Sequence, residues 1–175
     1  MNANARNANA RDTIGEAAAD GHPDGSIRKY WIGVVSKEHV EQAVRMGVAQ
    51  LNHGKAGPLE RMHAGDGFAY YSPRIAYPDG AMLQSFTALG RIRSGTVYQA
   101  DAGDGFRPFR IDVDYVPVID APIKPLIADL GFIRSKQHWG AAFRFGVVQV
   151  PAVDFARITA ALGHSFADVF EAIST

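Results

Sequence analysis

Residues 29–47, KYWIGVVSKEHVEQAVRMG, contain the signals of a buried strand followed at once by a helix. Most of residues 29–35 are aromatic or β-branched, which is typical of a strand buried in a sheet. Ser36 favours the start of a helix because its hydroxyl can accept a bond from a free backbone N–H, and Gly47 favours the end of that helix. One face of the helix would carry the apolar side chains of Val40, Ala43 and Val44. This stretch therefore predicts a domain that combines strands with helices.

Strand signals dominate the chain from residue 67 onward. The predicted strands are 68–72, which Pro73 would stop, and 83–93, 96–100, 107–118 and 143–150. A helical turn is predicted at 125–130, and two closing helices at 154–163, capped by Asp154, and at 166–173. Helices at both ends and strands joined by short turns predict an α+β fold. In it, a mixed or antiparallel β-sheet would curl into a small barrel flanked by short helices.

The first 27 residues differ from the rest of the chain. The pentapeptide NANAR occurs twice at residues 2–11, and large apolar side chains are nearly absent before Ile27. Such a segment buries too little apolar surface to offset the entropy lost on ordering. We therefore predict a flexible, low-complexity tail over residues 1–27 and one folded domain over residues 28–175.

Composition excludes several classes of protein. The chain has 175 residues, no cysteine and a formal net charge of zero. Without cysteine there are no disulfides and no thiolate metal sites, which fits a reducing cytoplasm. No apolar run approaches the ~20 residues that span a bilayer, so no membrane association is expected. Zero net charge argues against binding nucleic acid mainly by neutralising phosphates, and favours local, pocket-like contact.

The stretch 51–62, LNHGKAGPLERM, resembles a fragment of a phosphate-binding loop, but it lacks the necessary residues. Such a loop needs Ser or Thr after Gly-Lys to hold magnesium, and here Lys55 is followed by Ala56. Gly54 is expected to allow a tight turn, and Pro58 to start a short helix. Two interpretations remain open: a plain connector, or the edge of a ligand pocket.

The sequence gives no positive sign of catalysis. None of its six histidines has the spacing of a helical zinc site, and the Gly-x-Ser-x-Gly nucleophile motif is absent. We therefore expect no enzymatic activity, no cofactor and no metal.

Three clusters combine polar and aromatic residues: 52–55 (NHGK), 70–73 (YYSP) and 135–140 (SKQHWG). A planar heterocycle is recognised by stacking on aromatic faces and by hydrogen bonds to its edge, best when it is unstacked from its own strand. These clusters could supply both kinds of contact. The alternative is that the aromatic residues belong to the core and that Asn52 and His53 are turn residues.

Taken together, the clusters resemble the EVE domain, a PUA-like family. The similar segments occur in family order over residues 29 to about 160: KYWIGVVSKEHV (29–40), QLNHGKAGPLERMHAGDGFAYYSP (50–73), LQSFTALGRI (83–92), YQ (98–99), FRPFR (106–110) and FIRSKQHWGAAFRFG (132–146). The resemblance implies a PUA-like curled sheet and kinship with the YTH and ASCH domains. It also implies a reader of modified bases, with modified cytosine in DNA as the leading suggestion.

The resemblance further implies a base pocket between the first strand and helix, the NHGK loop and the Tyr-Ser-Pro strand end. The residues expected to form it are Ser36, Asn52, His53, Tyr71, Ser72, Pro73, Trp139 and Phe143. Lys55, Lys136 and Arg144 are expected to hold phosphates at its rim. The family often has a second arginine after Arg110, where this chain has Ile111, so one basic contact would be missing.

Two other functions remain open. The first is an enzyme that acts on a nucleobase or nucleotide in the same pocket, with His53 as its acid or base. The second is a module that binds a small molecule or a protein. The expected partner is nucleic acid that contains a modified base. The choice between DNA and RNA, the identity of the base and the oligomeric state stay open.

Overall fold

A computed structural model describes residues 21–22 and 24–170 of the chain. Its strands are β1 (Tyr30–Val34), β2 (Val48–Ala49), β3 (Gly67–Arg74), β4 (Met82–Ile92), β5 (Tyr98–Gln99), β6 (Phe109–Val116), β7 (Ala121–Pro122) and β8 (Val147–Val150). Its α-helices are α1 (Lys37–Met46), α2 (Ala152–Ala161) and α3 (Phe166–Phe170). Single 3₁₀ turns lie at Asn52–Gly54, Leu59–Arg61, Lys124–Leu126 and Trp139–Phe143. None of the helices described is long and apolar enough to cross a bilayer.

The strands form one mixed, curled sheet in the order β2-β6-β4-β3-β1-β8, with β5 paired to β6 and β7 to β4. Strand β1 runs parallel to β3 and antiparallel to β8, so the first strand depends on a partner from the end of the chain. The remaining pairs are antiparallel. This architecture confirms the predicted α+β, PUA-like fold.

The neighbouring strands β1 and β3 bury both of their faces, because side chains alternate between the faces of a strand. Trp31 of β1 and Phe68 of β3 point into one core cluster, which also includes Val40 and Ala43 of α1. The neighbouring residue Tyr30 points into the other cluster, where α2 and α3 contribute. Helix α1 therefore covers one face of the sheet, and the two closing helices cover the other.

Three predicted boundaries were wrong. Strand β3 continues through Pro73 to Arg74, and the pairing with β4 shifts register there, which accommodates a residue without a backbone N–H. Phe143 lies in a 3₁₀ turn instead of a strand, and β8 begins only at Val147. Of the predicted strand 96–100, only Tyr98–Gln99 pairs in the sheet.

Asp154 has a different role from the predicted helix cap. Pro151 precedes α2, and Asp154 lies in its first turn with its carboxylate fully buried. The carboxylate accepts bonds from the backbone N–H groups of Gly131 and Phe132 at 3.0 and 2.8 Å, and from Arg157 at 3.0 Å. Asp154 thus fixes the loop that leads toward Trp139, because its acceptors satisfy backbone donors that would otherwise be buried without partners.

The predicted tail lies mostly outside the described residues, and its boundary at residue 27 stays a prediction. Within the described part, the imidazole Nε2 of His22 lies 3.0 Å from Oδ1 of Asp66. The predicted helix 166–173 is described only as far as Phe170.

Candidate functional site

A pocket of about 700 Å³ opens where β1 meets α1. Four parts of the chain surround it: the β1–α1 junction, the Asn52–Gly54 turn, the end of β3 with the hairpin after it, and residues 143–146. Its lining consists of Val34, Val35, Ser36, His39, Gln50, Leu51, Asn52, His53, Lys55, Pro73, Arg74, Ala76, Tyr77, Phe106, Phe143, Arg144, Phe145 and Gly146. The volume suits a ligand the size of a nucleobase with its sugar.

The Asn52–Gly54 turn has an unusual backbone. Asn52, His53 and Gly54 have φ values of 46°, 57° and 81°, so three successive residues are left-handed. Asparagine tolerates this region better than most residues, and glycine has no steric penalty in it. A side chain at Gly54 would collide with Pro108, since an added Cβ would lie 2.5 Å from the Cβ of that proline. The turn is therefore pressed against the β5–β6 hairpin.

The amide of Asn52 connects this turn to the opposite side of the pocket. Its Nδ2 donates to the carbonyl oxygen of Phe145 at 3.3 Å. Its Oδ1 lies so near Gly146 that an added Cβ there would be 1.8 Å from it. Gly146 is therefore required for the approach of Asn52, and this contact joins two walls that are 93 residues apart in the chain.

Gln50 presents a firmly held amide to the pocket. It is 8% exposed, and the hydroxyl of Tyr70 accepts from its backbone N–H at 3.1 Å and donates to its carbonyl at 3.3 Å. Burial raises the pKa of Tyr70 to about 12, so this hydroxyl keeps its proton at neutral pH. Nε of Arg110 donates to the side-chain Oε1 of Gln50 at 3.1 Å. The Nε2 amide hydrogens then remain as donors for a ligand.

His39 and His53 both line the pocket. Burial is the main cause that lowers the pKa of His39, and the nearby charges of Arg110 and His53 lower it further. His39 is therefore neutral at pH 7 and can donate one hydrogen bond and accept another.

The mouth of the pocket carries exposed cations and exposed rings. Lys55, Arg74 and Arg144 line it, and the described lining contains neither Asp nor Glu. Tyr77, Phe106 and Phe145 lie at the same mouth with 79%, 47% and 72% of their surface exposed. Single exposed rings are common on protein surfaces, but several around one opening form the kind of apolar patch that marks a binding surface.

Seven of the predicted site residues come together in this pocket. They are Ser36, Asn52, His53, Lys55, Pro73, Phe143 and Arg144. Their roles in binding stay predictions. Ser36 precedes α1 as expected, but its side chain makes no cap hydrogen bond.

The other four predicted residues do not line the pocket. Tyr71 is buried behind it with its ring stacked on Phe143, the centroids 4.2 Å apart. The Ser72 hydroxyl is fully buried and bonds to that of Thr87 at 2.7 Å. The ring of Trp139 meets Tyr71 edge-on at 6.5 Å and packs against the core. Lys136 donates to the carbonyl of Leu130 at 2.7 Å. Tyr71 and Trp139 thus support Phe143 from behind.

Sequence reasoning missed several lining residues, chiefly His39, Gln50, Tyr77, Phe106 and Phe145. His39 and Gln50 carry no local signal, since each becomes important only through the fold. The three rings share only a weak signal: Tyr77 precedes a proline, and Phe106 and Phe145 each lie between a glycine and an arginine. Phe145 lies in the predicted strand 143–150, so its exposure was not expected. Among the described residues, no group of three or more His, Asp or Glu side chains could hold a metal ion.

Comparison with known proteins identifies relatives over most of the chain. The family model of the EVE domain matches residues 29–161. A UPF0310 protein of Mycolicibacterium vanbaalenii is 44% identical over 75% of this chain and 91% of its own length. The UPF0310 protein YdcG of Bacillus subtilis is 44% identical over 77% of this chain and 92% of its own. A UPF0310 protein of Streptococcus gordonii is 50% identical over 71% of this chain and 86% of its own.

One solved structure supports the fold. The NMR structure of Rpa0253 from Rhodopseudomonas palustris superposes with a TM-score of 0.50 at 16% identity, covering 77% of this chain and 93% of that one. At this identity the similarity concerns the fold alone.

Proposed function

The chain belongs to the EVE domain family, and from this premise we propose that its pocket binds a single nucleobase of a nucleic acid without chemically changing it. Modified cytosine in DNA is the base we favour. The observation that carries the proposal is the composition of the pocket, which combines an aromatic wall, three amide or hydroxyl side chains and a cationic mouth without acidic residues.

The interior of the pocket suits the face and the edge of a base. Phe143 is 6% exposed and contributes the accessible part of a ring whose orientation is fixed by its stack on Tyr71. Gln50, Asn52 and Ser36 line the same space and can form hydrogen bonds to polar atoms on a base edge. Because the Gln50 amide is oriented by Arg110, its free N–H groups face a ligand without first having to be ordered.

The mouth suits the sugar-phosphate backbone that enters with the base. Lys55, Arg74 and Arg144 are exposed there, and none of them forms an ion pair with a carboxylate of the described chain. Contacts of this kind hold a strand in place, whereas contacts to base edges discriminate between bases. The net charge of zero predicts weak nonspecific binding with a shallow dependence on salt.

Titration of short DNA strands tests the proposal. The strands should carry unmodified, methylated or hydroxymethylated cytosine at one position, with N-methylated adenine in RNA as a further arm. We expect one modified strand to bind at least about tenfold more tightly than its unmodified counterpart, because a methyl group that fits an apolar pocket, or a hydroxyl group that finds a partner there, contributes about 1–3 kcal/mol.

Two variants localise that discrimination. Gln50→Glu keeps an acceptor for Arg110 but replaces the amide donor by a carboxylate, and we expect it to abolish the preference. Asn52→Ala removes the link across the pocket and should weaken all strands. Equal affinity for every base, unchanged in both variants, would refute the proposal.

A second candidate function rests on the imidazoles of His39 and His53, which both line the pocket and interact electrostatically. Imidazole side chains are the most frequent general acids and bases in enzymes. Release of a modified product from a bound strand, lost in both His39→Gln and His53→Gln, would establish this enzyme in place of the reader.

A further inference from the structure

We propose that the mouth of the pocket binds the nucleotides on either side of the recognised base as an unpaired strand, with Tyr77, Phe106 and Phe145 as stacking platforms. This inference rests on the proposed function and extends it from a base to a class of substrate. The substrate would be single-stranded or locally unpaired nucleic acid, and neither a free nucleoside nor an intact duplex.

The three rings come from separate parts of the fold. Tyr77 lies in the β3–β4 hairpin, which closes through the pair from Ile75 N–H to Ala81 carbonyl at 2.9 Å. Phe106 lies in the β5–β6 hairpin, and Phe145 follows the Trp139–Phe143 turn. Each of these three segments delivers one exposed ring to the same pocket mouth. Among the described residues, the only other exposed aromatic side chain is Tyr98, which does not line the pocket.

One platform has a cation directly beside it, and the other two have a cation on the same or a contacting segment. The guanidinium carbon of Arg144 lies 4.9 Å from the centroid of the Phe145 ring. Nη1 of Arg74 donates to the carbonyl of Gly80 at 2.9 Å, which holds the guanidinium on the hairpin that carries Tyr77. Lys55 follows the turn that Phe106 approaches, since the ring of Phe106 would lie 3.4 Å from a Cβ at Gly54. The mouth therefore carries three exposed rings together with three cations.

This combination of rings and cations fits an unpaired strand better than other ligands. Every base has a π-face that can stack on an aromatic side chain, and each is followed by a phosphate that a cation can hold. In a duplex, the faces of the flanking bases are already stacked on their neighbours and are not available to the protein. A free nucleoside would leave all three platforms empty.

The test compares ligands of different length on the full chain. The probes are a cytidine mononucleotide, an unmodified single strand of about nine nucleotides, within the range that small single-strand-binding folds cover, and the same strand in a duplex. We expect the single strand to bind at least about tenfold more tightly than either of the others. Tyr77→Ala and Phe145→Ala should each weaken binding of the single strand about fivefold or more and leave the mononucleotide unaffected.

Tyr98→Ala is the matched control, because it removes an exposed ring outside the pocket, and it should leave binding unchanged. Tyr77→Leu and Phe145→Leu keep apolar surface but no ring, and they should be nearly as weak as the alanine variants. Equal affinity for mononucleotide and strand, or an equally strong duplex, would overturn the inference. Because the strand is unmodified, the inference can stand even if the pocket prefers no modified base, and it can fail while that preference is observed.

Discussion

The pentapeptide Ala-Gly-Asp-Gly-Phe occurs twice in the chain, at residues 64–68 and 102–106, and the two copies have opposite environments. In the first copy Asp66 and Phe68 are fully buried. In the second copy the whole pentapeptide is exposed, and Phe106 lies at the pocket mouth. The first glycine of each copy has the same φ of 89°. The copies differ at the next two residues, since Asp104 and Gly105 have positive φ values of 50° and 77° and Asp66 and Gly67 do not. The partners that surround each copy therefore decide both its turn and whether it stabilises the fold or faces a ligand.

Those partners are visible around the first aspartate. The carboxylate of Asp66 accepts from the backbone N–H groups of Lys29 and His63 and from the indole N–H of Trp31, each at 3.0 Å. It therefore joins the entrance of β1 to that of β3. The second copy closes a hairpin on itself, with Ala102 N–H donating to the carbonyl of Phe106 at 2.9 Å.

Replacing each phenylalanine by alanine should separate the two copies most strongly. Phe68→Ala empties a packed core and should lower the free energy of unfolding by about 3–5 kcal/mol. Phe106→Ala should lower it by less than about 1 kcal/mol, since the ring is half exposed. Urea unfolding measures both values. Binding of a single strand should show the reverse order in variants that remain folded, and a Phe106→Ala protein with unchanged affinity would contradict the stacking role.

The second-largest difference in the free energy of unfolding is expected between substitutions of the two aspartates, Asp66 and Asp104. Asp66→Asn places an amide donor against donors, and we expect a loss of about 2–4 kcal/mol in the free energy of unfolding. Asp104→Asn should change it by less than about 0.5 kcal/mol, because asparagine tolerates the φ of 50° at that position. Equal losses in the free energy of unfolding would show that the hydrogen bonds of Asp66 do not stabilise the fold.

The first glycines, Gly65 and Gly103, offer a finer comparison, because they have the same φ of 89°. Alanine at either position would have to adopt a left-handed φ, at a cost of about 1–2 kcal/mol. At Gly65 the added Cβ would also lie 2.7 Å from Nδ1 of His22, whereas at Gly103 nothing lies within 4 Å. We therefore expect Gly65→Ala to cost more than Gly103→Ala in urea unfolding.

A double-mutant cycle identifies the source of that excess. In a His22→Ala background the two glycine substitutions should cost the same, since the neighbouring imidazole is gone. An excess that persists without His22 would point to another contact of the first copy.

The smallest expected effect is on the pH dependence of the free energy of unfolding. It comes from His39, which lines the same pocket as Phe106 of the second copy. The pKa of His39 is lowered in the folded protein, mainly by burial, so the unfolded chain binds a proton more readily. The contribution of this residue to stability is complete above pH 6.5 and is lost as pH falls below that value. Urea unfolding between about pH 5 and 8 should show a weaker pH dependence for His39→Gln than for the natural chain. His138→Gln, which alters an exposed loop residue, is the control.

Much of the fold was predictable because its strands and helices carry regular patterns of apolar residues. The strand at 30–34, the helix ended by Gly47 and the pairing segments of β3, β4 and β6 each carry a regular apolar pattern. Features without a pattern were missed, such as the passage of β3 through Pro73 and the 3₁₀ turn that contains Phe143. Both depend on contacts with distant strands.

The candidate site was predictable in place but not in detail. The loop 52–55 and Arg144 were identified from residue type and resemblance, and they do line the pocket. Trp139 and Phe145 show why the remainder was not. Each lies next to glycine, but Trp139 packs on Tyr71 whereas Phe145 remains 72% exposed. Burial of a single ring depends on neighbours that no local pattern specifies.

The antiparallel pairing of β1 with β8 has a consequence for how the protein is made. During synthesis, the first strand leaves the ribosome more than a hundred residues before its partner, Val147–Val150. Until then one edge of β1 is open and Asn52 has no Phe145 carbonyl to bond. Nascent chains with such an edge are prone to aggregate and depend on chaperones. A chain that ends before residue 145 would therefore lack the completed pocket even if its first strands had formed.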